Sequence, residues 1–167
     1  MKHLLSALII LPLLTGCANY RWTSNIPQDM RTVAVPTFRN ESNVQELGAV
    51  ATRQLLREFQ REGTLKIKNP GDSAIEVQGV IKSGSTGGYI GDRRTGARLK
   101  QYDYRVTAVV SVIDKRAGRV LIDNKTYTAE TEVLTNSDVH TARRDASGRV
   151  ADDLARQIVD DVISMQW

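Results

Sequence analysis

Gln101-Tyr102-Asp103-Tyr104-Arg105-Val106-Thr107-Ala108-Val109-Val110-Ser111-Val112-Ile113 is the stretch that decides the fold. Side chains alternate across a β-strand, so residues two apart share a face. One face carries Tyr102, Tyr104, Val106, Ala108, Val110 and Val112; the other carries Asp103, Arg105, Thr107, Val109, Ser111 and Ile113. The pattern predicts a long strand with the first face buried. The second face is too polar to lie under another hidden layer. Val109 and Ile113 nevertheless make it stickier than a solvated face, and a partner of mixed polarity would suit it.

Working outward, Asp114-Lys115-Arg116-Ala117-Gly118 reads as a turn and Arg119 to Val133 as a second long strand, apolar first and polar from Asp123. Together they predict an antiparallel hairpin. Asn136, Ser137 and Asp138 then offer caps for a last helix. In that helix Ala142, Ala146, Val150, Leu154, Ile158 and Val162 recur every four residues, and Ala151, Ala155, Val159 and Ile163 widen the stripe. Gly148 weakens its first half. Upstream, Ala74 to Lys82 alternates as a half-buried strand. Ser83 to Lys100, rich in Gly, Ser, Thr and Arg, is expected to be a long mobile connection.

Further upstream, Thr32-Val33-Ala34-Val35-Pro36-Thr37-Phe38 is β-branched and predicts a strand that Pro36 confines to an edge or an end. Val44 to Glu62 places Val44, Leu47, Ala51, Leu55 and Phe59 on one helical face. Arg53, Arg57, Gln60 and Arg61 should be solvated. Ser42 or Asn43 could cap this helix, and Gly63 should end it. Leu65 to Lys68 predicts a short strand, and the strand–helix–strand order predicts a crossover between parallel strands. Asn69-Pro70-Gly71-Asp72 is a turn. The order β-α-β-β-β-β-α predicts an α+β fold: a two-layer α/β sandwich, with two helices on one face of a four- to five-stranded mixed sheet.

The amino terminus has another character. Met1-Lys2-His3 is basic, and Leu4 to Leu14 is largely apolar but shorter than the roughly 20 residues of a spanning helix. It predicts the apolar region of an export signal. Leu14-Thr15-Gly16-Cys17 resembles the lipobox of bacterial lipoproteins, which implies cleavage before Cys17 and its acylation. Each buried methylene contributes about 0.8 kcal/mol, so several acyl chains would hold the chain at a membrane without a spanning helix. Ala18, rather than an aspartate, follows Cys17, and by resemblance to lipoprotein sorting signals this favours the outer membrane. The expected organisation is a signal peptide over residues 1–16, a lipidated tether over 17–30 and one domain over 31–167.

Composition narrows the function. The chain has 167 residues, 41% hydrophobic and 25% charged, with one cysteine and two histidines. A disulfide framework and a cysteine-rich metal site are excluded. The motifs HExxH, GxGxxG and GxSxG and the P-loop are absent, and the glycines of Gly87-Gly88-Tyr89-Ile90-Gly91 match no phosphate loop. Asp152, Asp153, Asp160 and Asp161 lie off the apolar stripe and read as a solvated face, and His140 has no companion. Neither an enzyme nor a cofactor is expected. The net charge of +4 permits an anionic partner without demanding one. Arg93, Arg94, Arg98 and Lys100 fall in one connection and Lys115, Arg116 and Arg119 in another, about 40 Å apart along the strand between them. Arginine grips phosphate through its bidentate fork, although charges at turns often only keep them soluble. Export excludes nucleic acid as a partner.

Taken in order, several segments resemble the LptE family, the lipoprotein subunit of the outer-membrane lipopolysaccharide translocon. They are Cys17 with Tyr20-Arg21-Trp22, Thr32 to Asn40, Arg57-Glu58-Phe59, Ala74 to Ile81, Tyr102 to Val106, Asp114 to Leu121, Leu154 to Val159, and Trp167. The resemblance implies two helices on a sheet, a plug within an LptD-like β-barrel partner, help in assembling that barrel, and delivery of lipopolysaccharide to the outer leaflet. It makes Arg94, Arg98 and Lys100 the preferred lipopolysaccharide contacts. The rival expectation is another periplasmic lipoprotein of similar build, an activator of a cell-wall synthase or an accessory subunit of a secretion channel.

Overall fold

The computed structural model describes residues 26–90, 100–135 and 139–167. Six strands form one mixed sheet: β1 (Thr32–Ala34), β2 (Arg39–Asn40), β3 (Lys66–Ile67), β4 (Ile75–Ile90), β5 (Lys100–Asp114) and β6 (Arg119–Thr135). Helix α1 spans Leu47–Glu62 and α2 spans Val139–Ser164. The sheet order is β3-β1-β4-β5-β6, with β2 also on β4. β1 pairs parallel with β3 and β4, β2 parallel with β4, and β4, β5 and β6 run antiparallel to their neighbours. This is the expected α+β build, with both helical stripes packed against the sheet in one core.

The sheet has one strand more than expected because the first β-branched run is broken. Pro36 has no N–H for a ladder, so β1 stops at Ala34 and the chain rejoins β4 two residues beyond Thr37 as β2. Between the two, the Phe38 ring lies flat on Gly79, where a Cβ would overlap the ring. The Phe38 N–H leaves the sheet and donates to Thr52 Oγ1 (2.9 Å) on α1, and that hydroxyl donates onward to the Gly48 carbonyl (2.8 Å). A Cβ at Gly48 would strike the Phe38 carbonyl oxygen. Two glycines and one threonine therefore weld the bend to both layers.

Helix α1 starts three residues later than expected. Asn40 Nδ2 donates to the Val44 carbonyl (2.7 Å), and the Val44 N–H reaches Ser42 Oγ (3.3 Å). These bonds close a loop ahead of the helix, so Ser42 and Asn43 are not caps, and Glu46, at φ 62°, precedes the first turn without a side-chain cap. Gly63 ends the helix as expected: at φ 82° it donates its N–H to the Phe59 carbonyl.

The largest correction concerns Ser83 to Ile90; residues 91–99 of the expected connection lie outside the described residues, and Lys100 opens β5. β4 does not stop at Lys82; it runs to Ile90, paired with β5 across a register shift between Ile81 and Ser83. Small residues hide the periodicity there. A Cβ on Gly84 would lie 3.0–3.2 Å from Val44, Tyr104 and Leu47, so their side chains fill the space an apolar residue would take. The strand exists because β5 is there to pair with it. The hairpin of β5 and β6 matches its expectation, with Gly118 at φ 62° in the turn. In β5, Tyr104, Val106, Ala108, Val110 and Val112 are all fully buried.

Helix α2 runs unbroken through Gly148, whose carbonyl accepts a bond from Gln54 Nε2 on α1 (3.3 Å). The expected caps at Asn136, Ser137 and Asp138 lie outside the described residues. At the other end, Ile26 and Met30, expected to belong to an extended tether, are buried against the core around a one-turn 3-10 helix, Gln28–Met30.

Candidate functional site

The face of the sheet turned away from the helices has no described layer over it. Directly opposed residues share a face, so the register defines its surface. Near the β5–β6 turn it is mixed: Val80 faces Val109 and Ile113 faces Val120, which is 51% exposed, while Gln78 faces Ser111 between them and Glu76 lies beside Ile113. Toward the other end it is polar. Thr107 and Thr128 bring their hydroxyls to 3.4 Å, and Arg105 grips Glu130 Oε2 through two nitrogens at 2.6 and 2.9 Å. This mixed surface follows the alternation read along Gln101 to Ile113, with Val109 and Ile113 among polar neighbours.

A groove of about 460 Å³ crosses this half where the chain bends between β1 and β2, with Pro36, Val80 and Val109 lining it beside Gln78, Ser111 and Asn124. Arg39 and Lys82 form its charged rim, bridged by Glu41 at 2.6 and 2.8 Å. Hydrogen bonds from Lys82 and then Arg39 hold the Glu41 carboxyl below the ordinary glutamate range. Beyond Val109, Asn124 at φ 45° marks a bulge in β6, and its N–H donates to Ser111 Oγ (3.0 Å).

The basic residues of the turn are committed to the fold. Lys115 pairs with Glu76 (3.0 Å) and donates to the Pro70 carbonyl; Arg116 pairs with Asp29 (2.5 Å); Arg119 lies 3.7 Å from Asp114. The buried Asp114 carboxylate accepts the N–H groups of Arg116 and Ala117 and shapes the turn. The Glu76 carboxyl sits below its ordinary range because hydrogen bonds from Gln78 and then Lys115 outweigh its desolvation. This trio staples the turn, which is the plainer of the two expectations for it.

Cys17, Arg93, Arg94 and Arg98 lie outside the described residues. Lys100 opens β5 opposite Thr135, at the end of the sheet away from the stapled turn. His140 lies in the first turn of α2. Asp152 and Asp153 pair with Arg156 on the same helix, as a solvated face should. Asp161 differs: it accepts the Tyr127 hydroxyl (2.7 Å) and Lys125 Nζ (2.5 Å), joining α2 to β6. The periodicity of α2 placed Asp161 off the apolar stripe and gave no sign of this cross-layer bond. Among the described residues no three His, Cys, Asp or Glu side chains gather as a metal site, and no helix is long and apolar enough to cross a membrane.

The family model for LptE, described as lipopolysaccharide-assembly, matches residues 30–162. The chain belongs to the LptE family. No curated protein sequence matches it. Solved structures share the LptE-like fold at low identity. A minor lipoprotein from Acinetobacter baumannii is 15% identical with a TM-score of 0.51, covering 81% of this chain and 94% of its own. Protein CT253 from Chlamydia trachomatis is also 15% identical, with a TM-score of 0.55, covering 78% and 94%. At such identities these likenesses concern the fold alone.

Proposed function

We propose that this LptE-family chain is an outer-membrane lipoprotein, anchored by acylated Cys17 on the periplasmic side, that plugs an LptD-like β-barrel and helps it assemble. In that role it assists insertion of lipopolysaccharide into the outer leaflet, with Arg94, Arg98 and Lys100 as contacts to the lipid's phosphates. It does this by occupying space and offering surface, not by catalysis. The family match over residues 30–162 carries the reading. The sheet face supports it: Thr107, Thr128 and the Arg105–Glu130 pair offer hydrogen-bonding groups to the polar interior of a barrel.

Co-purification from membranes tests it. The full chain should recover a large β-barrel protein; recovery of a peptidoglycan synthase in its place would support the cell-wall alternative. Cys17→Ser should move the chain to the soluble fraction, and continued membrane retention would remove the anchor from the reading. Charge reversal at Arg94 and Arg98 should weaken binding to lipopolysaccharide at low salt without unfolding the domain, and unchanged binding would remove the loop contact.

A further inference from the structure

The two helices run parallel. Leu47 and Val50 of α1 share a cavity with Arg143 and Ser147 of α2, Gln54 bonds Gly148, and Glu58 acts electrostatically on Arg156. Both amino-terminal ends, with their partial positive charge, therefore point toward the end of the sheet where β4 stops and β5 starts. Arg143 Nη2 reaches Thr86 Oγ1 of β4 there (3.4 Å).

Most described arginines are satisfied elsewhere. Arg39, Arg61, Arg105, Arg116, Arg119 and Arg156 pair with carboxylates, and Arg31 and Arg149 donate to backbone carbonyls. The rest, Arg53, Arg57, Arg143 and Arg144, have no acidic partner among the described residues, and the last two stand at this end. Arg143 and Arg144 line the cavity, which measures about 560 Å³, a size typical of small-ligand sites. Arg143 Nε is buried without a hydrogen-bond partner. Arg53 and Arg57 follow Val50, which also lines the cavity, by three and seven residues, on the same side of α1. Arg53 and Arg57 are exposed, and Arg57 donates only to Gln54 (3.1 Å). Glu46 is the one carboxylate in the cavity wall, against two guanidinium groups.

From this arrangement we infer that the cavity between the start of α1 and Arg143–Arg144 binds a phosphoryl group of a phosphorylated lipid headgroup, with Arg53 and Arg57 extending the positive field along α1. A guanidinium offers paired N–H donors matched to phosphate oxygens, and a concave, half-open cavity suits a compact multi-oxygen anion better than a flat acidic protein surface. The inference rests on the lipopolysaccharide reading above for its ligand and adds a site on the helices, built from residues other than Arg94, Arg98 and Lys100.

The test uses the full chain in detergent with three probes: diphosphorylated lipid A, the same lipid dephosphorylated, and inorganic pyrophosphate. Arg144→Gln, an exposed change that should fold normally, and Arg143→Gln are each expected to weaken diphosphorylated lipid A at least fivefold. The dephosphorylated lipid should be unaffected. A matching loss for pyrophosphate would show that the phosphate alone is recognised; no pyrophosphate binding beside a loss for the lipid would assign the site to the headgroup. Unchanged affinity for both phosphorylated probes in Arg144→Gln overturns the inference, as does recovery of less barrel protein with lipid binding intact. If Arg94 and Arg98 reversal leaves lipid A binding untouched while Arg144→Gln reduces it, the loop contact fails and the cavity stands.

Discussion

Thr52 shows how much one side chain can decide. Its hydroxyl is the acceptor for the Phe38 N–H at the point where the chain has left β1 and not yet reached β2. Valine has the same shape and no oxygen. Thr52→Val leaves that buried N–H without a partner, which costs about 1–3 kcal/mol. Chemical denaturation should show this loss with an unchanged m-value, since the surface exposed on unfolding is the same. A neutral result would mean that the bend is held by the Phe38 ring on Gly79 alone.

At the scale of elements, the join between α2 and β6 depends on Asp161. Burial pushes its carboxyl upward, but hydrogen bonds from Lys125 and Tyr127 outweigh this and hold it below the ordinary aspartate range. Burial and the Asp161 charge together drive the Tyr127 hydroxyl well above its ordinary value, so it remains a donor throughout the usable pH range. A carboxyl with a lowered folded value stabilises fully above its unfolded value, near 3.9, and loses that contribution as pH falls through the folded one. Because the carboxylate is 33% exposed, the contribution is discounted to about 1 kcal/mol. Asp161→Asn should therefore lower thermal stability by about 2–4 °C at neutral pH. The gap to the parent protein should narrow below pH 4. A gap that persists at pH 2 would show that shape, not charge, makes this join.

The whole molecule is uneven along its length. β1 and β2 flank β4 only as far as Ile81, where the Glu41 N–H adds one last bond. Past Ser83, β4 has a described neighbour only on the β5 side. Local stability follows the density of buried contacts and paired backbone groups. Amide exchange should be slowest at Val77, Ala108 and Val110 and faster by orders of magnitude at Gln101, Tyr102 and Leu134. Uniform protection along β5 would contradict this gradient. The unevenness also has a direction: Asp29 is bound to Arg116 at the stapled turn, so the chain enters the fold at the end opposite the less supported strands.

The sequence by itself determined the long hairpin, both helical stripes, the glycine that ends α1 and the membership of the LptE family, because each is written in a local period or an ordered set of segments. Tyr104 to Val112 had to be buried on one face whatever else the chain did. Only the tertiary structure decided the rest. The extension of β4 through Gly84 was invisible, since side chains from α1 and β5 occupy the space that an apolar residue would have signalled. The role of Asp161 and the placing of Arg143 and Arg144 beside the start of α1 were hidden for a related reason. They depend on contacts between residues up to about a hundred positions apart, and on two helices lying parallel, neither of which a local pattern can encode.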